Sequence, residues 1–204
     1  VLADAYGVVA LDARIRVKPA TGSPEKRLAI RPYPSSLEEE LELADGRTLL
    51  LRPIRPEDEP ALQEAFSRLT PEEVRLRFFV PMKTFSHMMA ARFTQIDYDR
   101  EMALVAVVEV DGQETEIGVA RYITNPDGKS CEFAIVVADD WQQQGIAHRL
   151  MQQLIQTARS HSLQLMEGEV LTSNREMLSL AAELGFSVTS SEVDRNIKHV
   201  SRRL

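Results

Sequence analysis

From Arg47 to Phe186 the spacing of apolar positions switches repeatedly between two periods, and each switch marks an element. Arg47 to Arg52, after the Asp45-Gly46 turn, reads as a strand. Leu62, Phe66 and Leu69 recur at helical spacing behind Arg55-Pro56-Glu57-Asp58-Glu59-Pro60, whose acidic residues suit the positive end of a helix. Thr70-Pro71-Glu72-Glu73 then places a hydroxyl cap, a first-turn proline and a glutamate three residues after the cap, a capping box ahead of Val74, Leu76 and Phe78. A third short helix is expected over Ser86 to Phe93. Met102 to Val110, Ile117 to Ile123 and Cys131 to Val137 are apolar runs separated by Asp111-Gly112 and Pro126-Asp127-Gly128, the pattern of an antiparallel meander. Ile146, Leu150, Met151, Leu154, Ile155 and Ala158 form one helical face over 145–160. Leu165 to Leu171 reads as a strand, Asn174 to Leu184 as a helix ended by Gly185, and Phe186 to Val188 as the start of another strand. The order predicts an α/β (α+β) fold, a mixed, mostly antiparallel sheet flanked by helices.

The flanks of this region change the picture in two places. Gly7 to Ile15 is a β-like run with no partner nearby in the sequence, and Pro19, Gly22, Ser23, Pro24, Pro32 and Pro34 mark a linker behind it. Residues 1–35 are therefore expected to be the remnant of an upstream region plus linker, and 36–204 the domain, with Val1 opening a piece of a longer polypeptide. Glu38, Glu39, Glu40 and Glu42 read as a solvated acidic face, and Arg195, Lys198, Arg202 and Arg203 as a basic tail, taken as a solvated end ahead of a strand edge or a partner contact. A net charge of −7 argues against a nucleic-acid-coating surface, and no apolar run reaches the ~20 residues of a membrane-spanning helix. The lone Cys131 excludes an internal disulfide framework and fits a reducing, cytoplasmic setting. His87, His148, His161 and His199 lack metal-ligand spacing, so no metal is expected.

Chemistry concentrates in CEFAIVVADDWQQQGIAH, residues 131–148. A strand runs into a short loop that opens a long helix through Gly145 and Ala147, two small residues beside which a ligand can approach the main chain. Unpaired amides and the helix dipole favour a phosphate-type anion there. A tight strand-to-helix connection that needs Gly145 only for its backbone geometry is the alternative. By alternation Cys131 and Glu132 point to opposite faces, which makes Cys131 a buried structural thiol. Trp141 is read as a packing anchor, and Ser173 as the cap of the following helix.

Gln142-x-x-Gly145-x-Ala147 resembles the acyl-CoA pyrophosphate motif of the GNAT superfamily of N-acetyltransferases, and Asn174 with Leu184-Gly185-Phe186 resembles a later motif of that superfamily. RPIRPEDEP, LTPEEVRLRFF, NREMLSLAAELGF and the upstream GVVALDARIRV are similar to bacterial protein lysine acetyltransferases of the Pat type, which join an acyl-CoA synthetase-like region, ending in an ATP-grasp part, to a C-terminal GNAT domain. The resemblance implies acetyl-CoA as acyl donor, held along Ile135, Val136 and Val137 and by Gln142, Gln143, Gln144, Gly145, Ile146, Ala147, His148 and Asn174. It implies a protein lysine as acceptor, on targets such as acyl-CoA synthetases, and the upstream region of the same chain as partner. Glu132 stands where the superfamily's general base is found, and burial beside Phe133 and Ile135 is expected to raise its pKa. Ala181 replaces the frequent tyrosine acid, and Gln144 a frequent basic residue. Acetylation of a small amine, and a non-catalytic acyl-CoA-sensing module, are the rival functions.

Overall fold

A computed structural model describes residues 2–4, 7–9, 31–110, 112–191 and 194–204. Two short strands, β1 (Leu2–Asp4) and β2 (Gly7–Val9), pair antiparallel, so the first strand does have a local partner; the remainder of its run, and the linker from Pro19 to Pro24, lie outside the described residues. Arg31 pairs with Asp99 at 2.6 Å and the Tyr33 ring meets Tyr98 edge-on, so this end of the expected linker packs on the domain.

The main sheet has eight strands: β3 (Glu39–Glu42), β4 (Thr48–Pro53), β5 (Glu101–Val110), β6 (Gln113–Thr124), β7 (Ser130–Val137), β8 (Leu165–Leu171), β9 (Ser187–Ser190) and β10 (Ile197–Arg203). Their spatial order is β3-β4-β5-β6-β7-β8-β10-β9. Every pairing is antiparallel except β7 with β8, which α4 (Ile146–Ser160) connects as a crossover. The other helices are α1 (Glu59–Arg68), α2 (Pro71–Phe78), α3 (His87–Thr94) and α5 (Arg175–Glu183).

Local signals account for the helix starts. Thr70 Oγ1 accepts from the Glu73 N–H while the Glu73 carboxylate accepts from the Thr70 N–H, which closes the capping box. Ser86 caps α3. At α5 the cap is Asn174, whose Oδ1 accepts from the Met177 N–H at 3.0 Å; Ser173, expected in that role, instead accepts from Arg75.

The segment read as a solvated acidic face and the one read as a solvated basic tail are both strands. Residues 39–42 form the sheet edge, with Leu41 turned inward and Glu39 paired with Arg149. Residues 197–203 lie inside the sheet between β8 and β9, with Val200 fully buried.

The sheet separates two cores. Under α4 and α5 lie Leu49, Leu104, Tyr122, Phe133, Leu150 and Leu154, with Cys131 among them as a buried thiol. Under α1 and α3 lie Ile54, Leu62, Ala103, Val105 and Val107. A bulge where β5 meets β6 sets Glu116 opposite Val107, so this carboxyl enters the second core and is 4 % exposed. Arg52 and Asp58 are buried there as a two-pronged ion pair, at 2.7 and 2.8 Å. The acidic opening of α1 thus serves mainly to hold β4.

The feature that shapes the site is where β7 and β8 stop pairing. They match only from Ser130 with Leu165 to Glu132 with Glu167. Beyond that the Phe133 ring stands beside β8, against Phe186 with ring centres 5.1 Å apart, and a Cβ on Gly168 would come within 2.9 Å of it. Gly168 therefore supplies the space in which Phe133 seats.

Gly168→Ala is expected to lower stability by about 1–3 kcal/mol, because backbone on β8 and a ring in a packed core must both yield; an unchanged urea midpoint would contradict this seating. Burial, reinforced by the Asp58 charge and opposed by Arg52, Arg68 and Arg121, pushes the Glu116 pKa up to about 8. Its ordinary value in the unfolded chain is ~4.3, so the stability this neutral carboxyl permits is complete below that pH and is lost as pH rises through about 8. Glu116→Gln should gain on the original protein by on the order of 2–4 kcal/mol between pH 5 and pH 9, read from urea unfolding at each pH; parallel pH profiles would refute the neutral-carboxyl assignment.

Candidate active site

The end of β7 fixes which main-chain groups are free. Ala138 donates to the Ile117 carbonyl at 2.9 Å, and Asn125 donates to the Ser130 carbonyl at 2.9 Å. Between these two bonds the groups of Glu132, Ala134 and Val136 turn to β6, and those of Phe133, Ile135 and Val137 turn to the other edge. Since β8 has already left, Ile135 and Val137 face an open groove, whereas the Val136 N–H is used within the sheet. The Val137 carbonyl accepts from the Gln142 side chain at 3.1 Å, which ties down the far end of the edge.

A 3₁₀ turn over Asp139–Trp141 leads into the loop. Gln143 and Gly145 both adopt left-handed backbone, φ 60° and 79°, with Gln144 between them outside that region. Such alternation curls successive N–H groups toward one side. The first main-chain bond of α4 runs from Arg149 to the Gly145 carbonyl, and among the described residues no acceptor meets the N–H groups of Gln143 to His148. A Cβ built on Gly145 would meet nothing within 4 Å, so the space in front of these donors is open. Unpaired donors, a helix dipole and bare backbone together suit a diphosphate.

The resulting groove encloses about 440 Å³ between β7, the loop, α2 and α5. Ile135, Val136, Val137, Gln142, Gln143, Gly145, Ile146, Ala147, His148 and Asn174 all line it. Gln144 does not; its amide turns back toward the Asp140 carbonyl. Trp141 lines the groove, packs against the first core and lies under the Arg47 guanidinium at 4.1 Å.

Glu132 is the last β7 residue paired with β8, at the fork itself. It is exposed, and Phe133 and Ile135 belong to the opposite face, so the burial expected for it is absent. Glu167 stands beside it on the same face, bonded to Asn125 at 3.0 Å and approached by His199 at 3.3 Å. The Cys131 thiol points away into the core, where burial pushes its pKa up to about 12. Among the described residues no three potential metal ligands converge, and no helix is long and apolar enough to cross a membrane.

Behind Val136 and Arg77, which line the groove as well, lies a second, partly open space of about 50 Å³. Phe66, Phe78, Phe85 and Phe93 wall it, and Glu116 and Arg121 also border it. Little in the sequence signals this chamber: its aromatics read as helix faces, and its charged members sit on different elements.

Known proteins share this fold. The acetyltransferase (GNAT) domain family matches residues 48–187. Acetyltransferase PA5475 of Pseudomonas aeruginosa is 37% identical over 144 residues, 71% of this chain and 77% of that protein. The crystal structure of the GNAT domain of S. lividans PAT superposes with a TM-score of 0.75 at 25% identity, over 85% of this chain and all of that one. RimL, a ribosomal L7/L12 α-N-protein acetyltransferase in complex with coenzyme A, shares the fold with a TM-score of 0.63 at 14% identity, over 81% and 98% of the two chains. With its family match, its fold and its open strand edge in agreement, the chain belongs to the GNAT acetyltransferases and is an acyl-CoA-dependent acyltransferase.

Proposed function

We propose that the protein transfers an acetyl group from acetyl-CoA to the side-chain amine of a lysine in a protein, by direct attack. The observation that carries this reading is the set of open main-chain groups, the Gln143–His148 donors together with the outward-facing groups of Ile135 and the Val137 N–H, that leads to the fork holding Glu132. Bound acetyl-CoA supplies the activated acyl thioester. The loop donors hold a diphosphate, and the β7 edge pairs with an extended amide-bearing arm as a neighbouring strand would. A free N–H on that edge beside Val136 is placed to receive the negative charge that develops on a carbonyl oxygen.

A lysine amine with a pKa of ~10.4 is neutral in only about one molecule in a few thousand at pH 7, so a proton acceptor near the fork is needed. Glu132 takes that role, directly or through a water. Glu167 and Glu169 on the same face of β8 make the approach acidic, which favours a cationic side chain as acceptor. No tyrosine acid stands on α5, where Ala181 is buried in the core; a leaving thiol with a pKa near ~8.5 departs without one. A covalent intermediate on Cys131 is disfavoured because the thiol is buried on the wrong face. The likeness to the S. lividans PAT domain supports a protein acceptor, and the Pat-type motifs support metabolic enzymes such as acyl-CoA synthetases as targets and an upstream synthetase-like region as partner.

Glu132→Gln should keep acetyl-CoA affinity within about twofold while slowing transfer to a folded protein acceptor by about 10²–10⁴, measured by calorimetry and steady-state assay; an undiminished rate removes Glu132 from the mechanism. Gly145→Val should instead weaken acetyl-CoA binding by about tenfold or more, through strain at φ 79° and a side chain in the groove; intact affinity would deny the loop its role. Faster turnover on free polyamines than on a protein would replace the protein acceptor with a small amine.

A further inference from the structure

Two guanidiniums border the chamber behind Val136 without a carboxylate partner. Arg121 is 6 % exposed; one of its nitrogens donates to the Phe93 carbonyl at 2.7 Å, its plane lies 4.2 Å from the Phe93 ring centre, and its Nε is buried without any acceptor. Arg77, half-buried on α2, lies over the Phe78 ring at 4.9 Å and feels the charge of Glu132, yet among the described residues neither arginine forms an ion pair. Their charges repel each other, and burial lowers both pKa values to about 10, so both remain cationic at neutral pH. Burial of Arg121 and partial burial of Arg77 without an ion-pair partner is costly, and the cost falls where an anion is brought in by something else.

Apart from Glu116 and from Arg68, which pairs with Glu64 at 3.7 Å, the rest of the chamber's lining is apolar, and its free space of about 50 Å³ is several times the ~10–15 Å³ a single water needs, enough for a few heavy atoms. Val136 and Arg77 line both it and the groove, so it opens beside the position of the thioester in the reading given above. Resting on that reading, we propose that the chamber is an acyl-chain subsite in which Arg77 and Arg121 hold a terminal carboxylate, so that the donor range includes a short dicarboxylic acyl-CoA of the succinyl type. Glu116 does not oppose this, because burial keeps it protonated until about pH 8, where it presents a donor instead of a second anion. The transfer is balanced as for acetyl: the carbonyl carbon exchanges sulfur for the lysine nitrogen, and the proton released by the amine ends on the departing thiol.

Calorimetric titration of the protein with acetyl-, butyryl- and succinyl-CoA tests this, since butyryl and succinyl share a chain length and differ in the terminal charge. Succinyl-CoA should bind at least tenfold more tightly than butyryl-CoA, and Arg121→Gln should reduce that ratio to within about twofold. If Arg121→Gln does not fold, Arg77→Gln should lower the same ratio severalfold. Equal affinities, or tighter butyryl-CoA, with acetyl-CoA still bound would overturn the carboxylate subsite and leave the acetyltransferase reading standing. Failure of all three to bind would overturn both.

Discussion

The parting of β7 from β8 is the constraint on which the site depends. A strand in the middle of a sheet normally spends every main-chain donor and acceptor on its neighbours, and leaving some unpaired inside a protein costs free energy. Here the expense falls on Ile135 and Val137, and just past the fork the Phe133 ring seats on the core face of β8 in the space that Gly168 leaves free. The sheet stays cohesive because β6 holds β7 along its whole length and β10 holds β8 along its own. Only the junction between the two halves opens, and α4 must cross from one half to the other there. Its unsatisfied N-terminal donors are thus delivered to the mouth of the groove by the same connection that forces β7 and β8 to run parallel.

The charges around this fork have contrasting environments. At the fork the exposed Glu132 and the half-buried Glu167 give the approach an acidic character. Under α1–α3, Glu116 and Arg121 are removed from water and Arg77 is half-buried, and burial shifts each of them toward its neutral form. A cationic acceptor therefore meets favourable charge outside, while the interior next to Val136 favours an anion. These preferences suit a reaction in which an amine arrives from the surface and negative charge grows on an oxygen further in.

Much of this was legible in the sequence wherever a residue's role is settled by its near neighbours. The Thr70 capping box, the meander of β5, β6 and β7, the apolar face of α4 and the Gly145 loop all show as patterns within a short window of sequence, and the structure contains each of them. The burial of Glu132 was misjudged because two adjacent residues of a strand look alike in sequence but face opposite ways. β10 was missed for a related reason: in IKHVSRR only Val200 is fully buried, so an inner strand with one wet face has the composition of a tail. β3 hid its single inward Leu41 among glutamates. The chamber of Arg77, Glu116 and Arg121 depends on a bulge in β6 and on α2 folding over the sheet, and no short window of sequence holds that information.

The most direct test of the account is a crystal structure with acetyl-CoA bound. It should place the diphosphate within hydrogen-bonding distance of the Gln143–His148 amides, the pantetheine arm along Ile135 and Val137, and the thioester between Glu132 and the chamber behind Val136. A cofactor seated elsewhere, or a β7 edge that closes against β8 when the cofactor binds, would contradict it.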